Sequence, residues 1–241
     1  MSFENFYTEG DYLNKNPDWG AEDSEWKGKI VGELIKKNNI SFSTIAEIGC
    51  GAGGILYALN KQFSGKNFYG FDISPQSIAI AKQKYSDIKE LHFIHSDYLN
   101  ETHQETDILL MLDVIEHVAD YYDFLNKIHP KSNLFIFHIP LDISCRSVLK
   151  PHILLQQRKD VGHIHYFTEE HVWWMLEDCG YNIVDWHYTK PSIDISPAVS
   201  LKQRVKKMLR ALSYSISKKW SVKLWGGYSL IILAKKNDGT K

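Results

Sequence analysis

The amino-acid sequence predicts a doubly wound α/β fold: a seven-stranded, mostly parallel sheet with helices on both faces. Three observations predict it. Short apolar runs alternate with helical patterns from residue 45 to residue 139. The first run, Ile45-Ala46-Glu47-Ile48, breaks into the glycine-rich turn Gly49-Cys50-Gly51-Ala52-Gly53-Gly54 and passes straight into the pattern Ile55, Leu56, Ala58, Leu59. The first four runs all end in loops that carry carboxylates, at the edge where open α/β sheets place their ligands. With 241 residues, 44% of them hydrophobic, the chain reads as one domain with a sizeable core.

In chain order, residues 1 to about 40 precede the first strand and are rich in aromatic side chains: Phe3, Phe6, Tyr7, Tyr12, Trp19 and Trp26. Asp23-Ser24 caps a helix from Trp26 to Ile35 that carries Ile30, Val31, Leu34 and Ile35 on one face. The first strand then runs into the glycines, which let the backbone turn tightly and a ligand approach where a Cβ would clash. Glu47 ends that strand with a carboxylate aimed at the ligand. It repels a pyrophosphate and suits a cationic amine. The pattern argues against NAD and for S-adenosylmethionine (SAM), whose methionine moiety carries an ammonium group.

The second run, Asn67 to Phe71, ends in Asp72, nineteen residues after Gly53. An acid at that distance accepts both hydroxyls of an unphosphorylated ribose. Ser74-Pro75 then caps a helix through Ile78, Ala79, Ala81 and Lys82. The third run, Leu91 to His95, ends in Ser96-Asp97-Tyr98; the fourth, Asp107 to Leu112, ends in Asp113-Val114-Ile115-Glu116-His117. A helix from about Ala119 to His129, a fifth strand from Asn133 to Ile139 interrupted only by His138, and a long connection from Pro140 to Phe167 follow. Thr168 and Gly180 bracket a further helix, and Asn182–Tyr188 and Tyr228–Ala234 are the last two strands.

These residues resemble the class I SAM-dependent methyltransferases, in the broad group that includes the ubiquinone-biosynthesis O-methyltransferases. The resemblance covers about residues 40 to 190. It implies a Rossmann-like sheet whose sixth and seventh strands form an antiparallel pair at one edge. It also implies a cofactor set of Glu47, Gly49, Cys50, Gly51, Gly53, Asp72, Ile73, Asp97, Tyr98 and Asp113. In the family the glycine turn holds the methionine part of SAM, the acid matching Asp72 the ribose, the acid matching Asp97 the adenine amine, and the loop at Asp113 lies beside the sulfonium. Residues 1–40 would be a helical lid over the SAM pocket, and residues 41–241 the methyltransferase domain.

Methyl transfer is an in-line displacement that needs an aligned acceptor, and most hydroxyl acceptors need a base or a metal. His165 and His163, two residues apart in Gly162-His163-Ile164-His165, are expected to present two imidazoles to one side, and with His117 they are the catalytic candidates. Relatives with E-x-x-E-H at the position of Asp113-x-x-Glu116-His117 bind a divalent metal there. This chain has the shorter Asp113 in first place. No resident metal is expected; Asp113, Glu116 and His117 are the residues that would hold one. His138, among apolar residues, reads as a satisfied core histidine, with acceptor contact as the alternative.

The formal net charge of −1 hides an asymmetry. Residues 196–225 carry eight Lys or Arg and no acid, leaving −9 on the remainder. Within them Leu201, Val205, Met208, Leu209, Leu212 and Ile216 recur at helical spacing, giving a basic amphipathic helix from about Leu201 to Trp220 inserted before the last strand. Its apolar stripe is expected against the sheet edge, and its charged face is a candidate for peripheral membrane contact over residues 201–220.

The N-terminal residues Met1-Ser2-Phe3-Glu4-Asn5 have no signal-peptide character, no run suits a membrane span, and Cys50, Cys145 and Cys179 form no zinc or redox motif. A cytoplasmic location is expected. The leading function is methyl transfer to a small-molecule acceptor, a hydroxyl of a sugar or other metabolite, with no DNA partner. The alternatives are an RNA 2′-O-methyltransferase-like enzyme, disfavoured by the acidic remainder of the chain, and a SAM-binding scaffold docked through the basic helix.

Overall fold

Each apolar run of the sequence is a strand. The computed structural model describes residues 21–101 and 106–237; the early aromatic residues Phe3 to Trp19 lie outside them. The strands are β1 (Thr44–Ile48), β2 (Asn67–Asp72), β3 (Leu91–His95), β4 (Thr106–Leu112), β5 (Ser132–Leu141), β6 (Tyr181–Thr189) and β7 (Tyr228–Lys236). They form one sheet in the order β3-β2-β1-β4-β5-β7-β6, with β7 antiparallel to both of its neighbours and the other pairs parallel. The reversal of strand order at β1 and β4 opens the crevice at their C-terminal ends, where such sheets take ligands.

The side chains of β4 show why both faces are covered. Ile108, Leu110 and Leu112 join one core cluster, while Leu109 and Met111 join the other, as strand alternation requires. On the first face lie α1 (Ala21–Lys37), α2 (Gly54–Asn60) and α3 (Pro75–Lys84), contributing Val31, Leu34 and Ile35, then Leu56 and Leu59, then Ile78 and Ala81. On the second lie α4 (Tyr121–Ile128) and the helix over residues 169–178, through Phe124, Leu125, Val172 and Leu176.

Helix α1 begins at Ala21, ahead of the expected Asp23-Ser24 cap. It packs on the sheet through the expected apolar face, and the same register carries Lys27 to the strand ends. The connection after β5 contains two helices that the sequence reading missed: α5 (Cys145–Leu149) and α6 (His152–Asp160). α5 is short and closed by a capping box between Ser144 and Ser147, and α6 has no buried residue, so neither carries a strong apolar period. Helix α7 (Glu169–Asp178) has the expected Thr168 cap and ends at Gly180, which adopts φ 79°.

The insertion between β6 and β7 holds α8 (Pro191–Asp194), α9 (Leu201–Ile216) and α10 (Lys218–Trp225). The single basic helix expected there is two, divided at Ser217, whose extended backbone (φ −153°) ends α9 and whose side chain caps α10. The burial of α9 reverses expectation: its apolar residues are exposed and Arg210 is its one buried residue. Leu125→Ala, in the core cluster of α4, is expected to lower stability by about 2–5 kcal/mol. Leu212→Ala in α9 should change it by less than about 0.5 kcal/mol. Urea denaturation of the two variants checks the contrast.

Candidate active site

The turn after β1 is built for close approach. Gly49 and Gly53 have φ of 72° and 77°, a region costly for other residues. A Cβ on Gly49 would lie 2.9 Å from Val114 Cγ2, and one on Gly53 would lie 2.4 Å from Phe93 Cε1. The glycine turn therefore sits directly against the loop after β4. Its other side is fixed to β2: the N–H groups of Gly49 and Cys50 donate to the Phe71 carbonyl at 2.8 and 3.1 Å. The Gly51 N–H donates to Asp72 Oδ2 at 2.8 Å, and the Ser74 N–H donates to Asp72 Oδ1 at 2.8 Å. The Ser77 side chain also acts on this carboxylate, which has about four acceptor sites and so keeps capacity for a further donor.

Glu47 is the electrostatic centre of this turn. It is 1% exposed, and its Oε2 has no hydrogen-bond partner. Burial pushes its carboxyl up to about 8, Lys27 pulls it down, and Asp72 pushes it up again. A buried carboxyl in that state is one cation short of a stable ionised form. Cys50, beside it, is held well above the usual thiol range by burial and by Asp72 and Glu47, so it stays a thiol.

A second network closes the strand ends. Asp113 stands in the left-handed region at φ 57°, unusual outside glycine. Its Oδ2 pairs with Lys27 Nζ of α1 at 2.7 Å and its Oδ1 with His138 Nδ1 of β5 at 2.6 Å. The other ring nitrogen of His138 meets Thr189 Oγ1 at 2.8 Å. Burial opposes the charge on Asp113, but His138 and Lys27 outweigh it and hold its carboxyl far below the usual range. Burial likewise opposes the charge on Lys27, and Asp113 and Asp23 outweigh it. His138 is thus the satisfied core histidine, tied at both nitrogens.

The third group lies on the same loop. Glu116 is fully buried, and neither carboxyl oxygen has a hydrogen-bond partner. Its Oε1 is 3.9 Å from His117 Nε2 and 3.9 Å from His163 Nε2. His117 Nδ1 faces the Gly162 carbonyl at 3.1 Å, and His163 Nδ1 faces Asp142 Oδ2 at 2.7 Å. With each Nδ1–H donated outward, both Nε2 lone pairs face the carboxyl, an assignment made from the hydrogen-bond pattern. Burial, Asp113 and Asp142 raise the Glu116 carboxyl well above its ordinary value, and burial with His163 pushes His117 down to about 4.

Residues 46–131 match the family model described as a methyltransferase domain. Over that stretch the chain is similar to SAM-dependent methyltransferases. Over 84 residues it is 34% identical to O-methyltransferase 3 of Dictyostelium discoideum, covering 34% of this chain and 19% of that one. Over 105 residues it is 31% identical to the release factor glutamine methyltransferase of Dictyoglomus turgidum, covering 41% and 36%. The chain spans little more than a third, or less, of the length of the curated relatives it matches. Magnesium protoporphyrin IX methyltransferase from Synechocystis PCC 6803, crystallised with bound SAH, shares the fold at a TM-score of 0.62 and 18% identity, over 97% of this chain and 96% of that one.

The expected site residues divide. Glu47, Gly49, Cys50, Gly51, Gly53 and Asp72 are brought together at one turn, with Ile73 exposed at its rim. Exposed Asp97 caps the single turn Tyr98–Asn100 by accepting from the Leu99 N–H at 2.9 Å. Tyr98 belongs to the core, 2% exposed and edge-on to Phe71, so its ring supports the site from behind. Asp113 does not converge with Glu116 and His117 as expected, because both its oxygens are taken by Lys27 and His138. Among the described residues the group able to converge on a metal ion is Glu116, His117 and His163, whose ligand atoms lie within 4.8 Å of one another.

His163 and His165 part company as well. The Ile164 and His165 N–H groups both donate to the Glu116 carbonyl, which rotates the backbone out of simple alternation. His165 Nε2 therefore lies 3.2 Å from the Ala119 carbonyl, and its ring stands edge-on to Tyr121. Sequence reasoning missed Lys27, Thr189 and Asp142. Asp142 had a signal, since it follows β5 as the other acids follow theirs; Lys27 and Thr189 had none.

Glu47 carries a testable stability cost. Its carboxyl is raised in the folded state, so the fold binds a proton that the unfolded chain releases above about pH 4.5. Stability contributed by that proton is present at low pH and lost as pH rises toward about 8. Glu47→Gln is expected to stabilise the free protein on the order of 1–3 kcal/mol at pH 8, with the advantage vanishing near pH 4.5. Thermal unfolding across that pH range, with and without SAM, measures it. The same variant should bind SAM more weakly.

Proposed function

We propose that this protein transfers the methyl group of SAM to a hydroxyl oxygen of a small molecule, a sugar or another hydroxylated metabolite, in the cytoplasm. One observation carries the cofactor half of this reading: the buried Glu47 carboxyl, with an unpartnered oxygen, one strand away from Asp72 at the glycine turn. The SAM ammonium supplies the missing cation and the ribose hydroxyls the further donors. Binding an ammonium favours the ionised carboxylate, so complex formation should release a proton below pH 8, and affinity should rise with pH up to about that value.

The acceptor half rests on Glu116 and His117, on the loop that touches the glycine turn through Val114, and on His163, from the segment after α6. Bound at the glycine turn, SAM would supply the methyl group to the acceptor oxygen, its sulfur keeping the bonding pair as a neutral thioether. The hydroxyl proton passes to an imidazole nitrogen. His117, pushed down to about 4, is unprotonated at neutral pH and able to accept it. His163 is oriented for the same task by Asp142, and His165 is not placed for it.

The same donors fit a divalent metal: an orphaned carboxyl and two imidazoles, each fixed through Nδ1 by a carbonyl or carboxylate, as metal-binding histidines are. Bound there, an ion would acidify and orient the acceptor hydroxyl. His163→Ala is expected to lower turnover about 10²–10⁴-fold while leaving SAM affinity intact, and His165→Ala by less than about ten-fold. Methyl transfer from labelled SAM to fractionated metabolites, lipid and RNA, with and without chelator, tests both halves. Label in RNA alone overturns the small-molecule reading, and loss of turnover on chelation assigns the group to a metal.

Asp72→Ala is expected to weaken SAM binding by about ten-fold or more, since a charged acceptor loses two hydroxyl donors worth roughly 1.5–3 kcal/mol each at most. NAD should not bind either form. Calorimetry with both ligands decides it, and unchanged SAM affinity in the variant removes Asp72 from the site.

A further inference from the structure

Helix α9 is folded inside out. With about 3.6 residues per turn, Leu201, Val205, Met208, Leu212 and Ile216 share one stripe, and Arg210 falls nearly opposite. The stripe faces solvent: Leu201 is 78% exposed, Met208 61%, Leu212 57% and Ile216 78%. The inner side is polar. Arg210 Nη2 donates to the carbonyls of Trp225 and Gly226 at 3.2 and 3.0 Å, Ser213 Oγ lies 2.8 Å from Ser221 Oγ, and the Tyr214 hydroxyl donates to the Tyr188 carbonyl at 3.3 Å. These contacts fix the rotation of the helix and turn its apolar side outward.

The apolar surface continues beyond α9. Trp220 is 74% exposed on α10, and Leu224 follows it four residues on. Beside them stands α5 with exposed Val148 and Leu149; its Arg146 and the Lys150 that follows it act on Lys206 of α9. Burial, Arg210, Arg146, Lys150 and Lys202 together push the Lys206 ammonium down to about 8. Among the described residues no carboxylate lies within ion-pair distance of the five cations of α9; elsewhere in the insertion Lys190 pairs with Asp194 and Lys223 of α10 with Glu170. The surface therefore shows bulky apolar side chains in the middle and unneutralised cations around them.

We propose that this face, centred on α9 and α10, docks the protein on an anionic lipid bilayer. The chemistry selects that partner. A nucleic acid would neutralise the cations and leave Leu201, Met208, Leu212, Ile216 and Trp220 in water. A second copy of this face would cover the apolar side chains and press two sets of like charges together. An anionic bilayer does both tasks: apolar side chains enter the acyl boundary while Lys202 and Arg204, flanking the stripe, reach the headgroups. Trp220 has the amphipathic ring suited to the interface. The protein would lie on the membrane and not cross it, since no helix among the described residues is long and apolar enough to span one.

Flotation of the full chain with vesicles of phosphatidylcholine, with and without phosphatidylglycerol, tests this. Binding is expected at low salt, only with phosphatidylglycerol, and reversed by high salt. Lys202→Glu with Lys219→Glu should weaken partitioning by about ten-fold or more, and so should Leu201→Ser, Met208→Ser and Leu212→Ser together. All five positions are exposed, so circular dichroism and SAM binding should stay as in the parent. Failure to float with anionic vesicles at low salt, equal binding to both vesicle types, or binding untouched by the serine variant overturns the proposal. So does salt-sensitive RNA binding without vesicle binding, or a dimer that the serine variant dissociates in its place.

Discussion

Everything at the ligand end of this sheet depends on the carboxylate of Asp113. It joins three separate pieces of chain: Lys27 from the first described helix, His138 from the fifth strand, and through His138 the end of the sixth at Thr189. The residue pays for that position with a left-handed backbone, held in place by its own N–H donating to the His138 carbonyl at 2.9 Å. A charge so placed is costly to bury alone and stable when doubly paired. It pins α1 over the strand ends, and with α1 comes Lys27, the cation that Glu47 feels. The loop that follows, from Val114 to His117, is thereby presented to the glycine turn in one fixed orientation.

Two of the three polar groups at this end are left incomplete. Asp113 is satisfied, whereas Glu47 and Glu116 are buried with unpartnered oxygens. Burial of a carboxyl without a partner is the kind of local cost that folds concentrate where ligands bind. The two differ in what surrounds them. Glu47 has glycines and a neighbouring aspartate, an environment that asks for a small organic cation and hydroxyl donors. Glu116 has two imidazole nitrogens, an environment that holds a proton or a metal ion. Adjacent sites with such different demands suit a donor molecule and an acceptor activation centre side by side.

The strands and the cofactor turn were legible in the sequence because they rest on local rules: alternation, glycines with positive φ, and acids at strand ends. All seven strands appear within a few residues of where the pattern puts them. What was not legible depends on contacts between distant segments. Lys27 looks like any polar residue of an amphipathic helix until Asp113 is brought to it. His163 and His165 look equivalent by alternation, and only the shared acceptor at the Glu116 carbonyl separates them. Helix α9 was legible as amphipathic but not in its rotation, because a hydrophobic stripe says nothing of whether protein or something else will cover it. The polar inner face at Arg210, Ser213 and Tyr214 decides that, and its partners lie in β6, α10 and the turn before β7.

The way the insertion joins the sheet has its own consequence. Thr189, the last residue of β6, and Ser229, the second residue of β7, are register partners. The chain therefore leaves the sheet and re-enters it at the same level, and the segment between works as a cassette plugged into a hairpin. The strand register is closed by Thr189 and Ser229 themselves and does not depend on the length of the segment between, and Thr189 keeps its hold on His138. One catalytic frame can in this way be addressed to different surfaces by exchanging a cassette, with the cofactor end of the sheet left untouched.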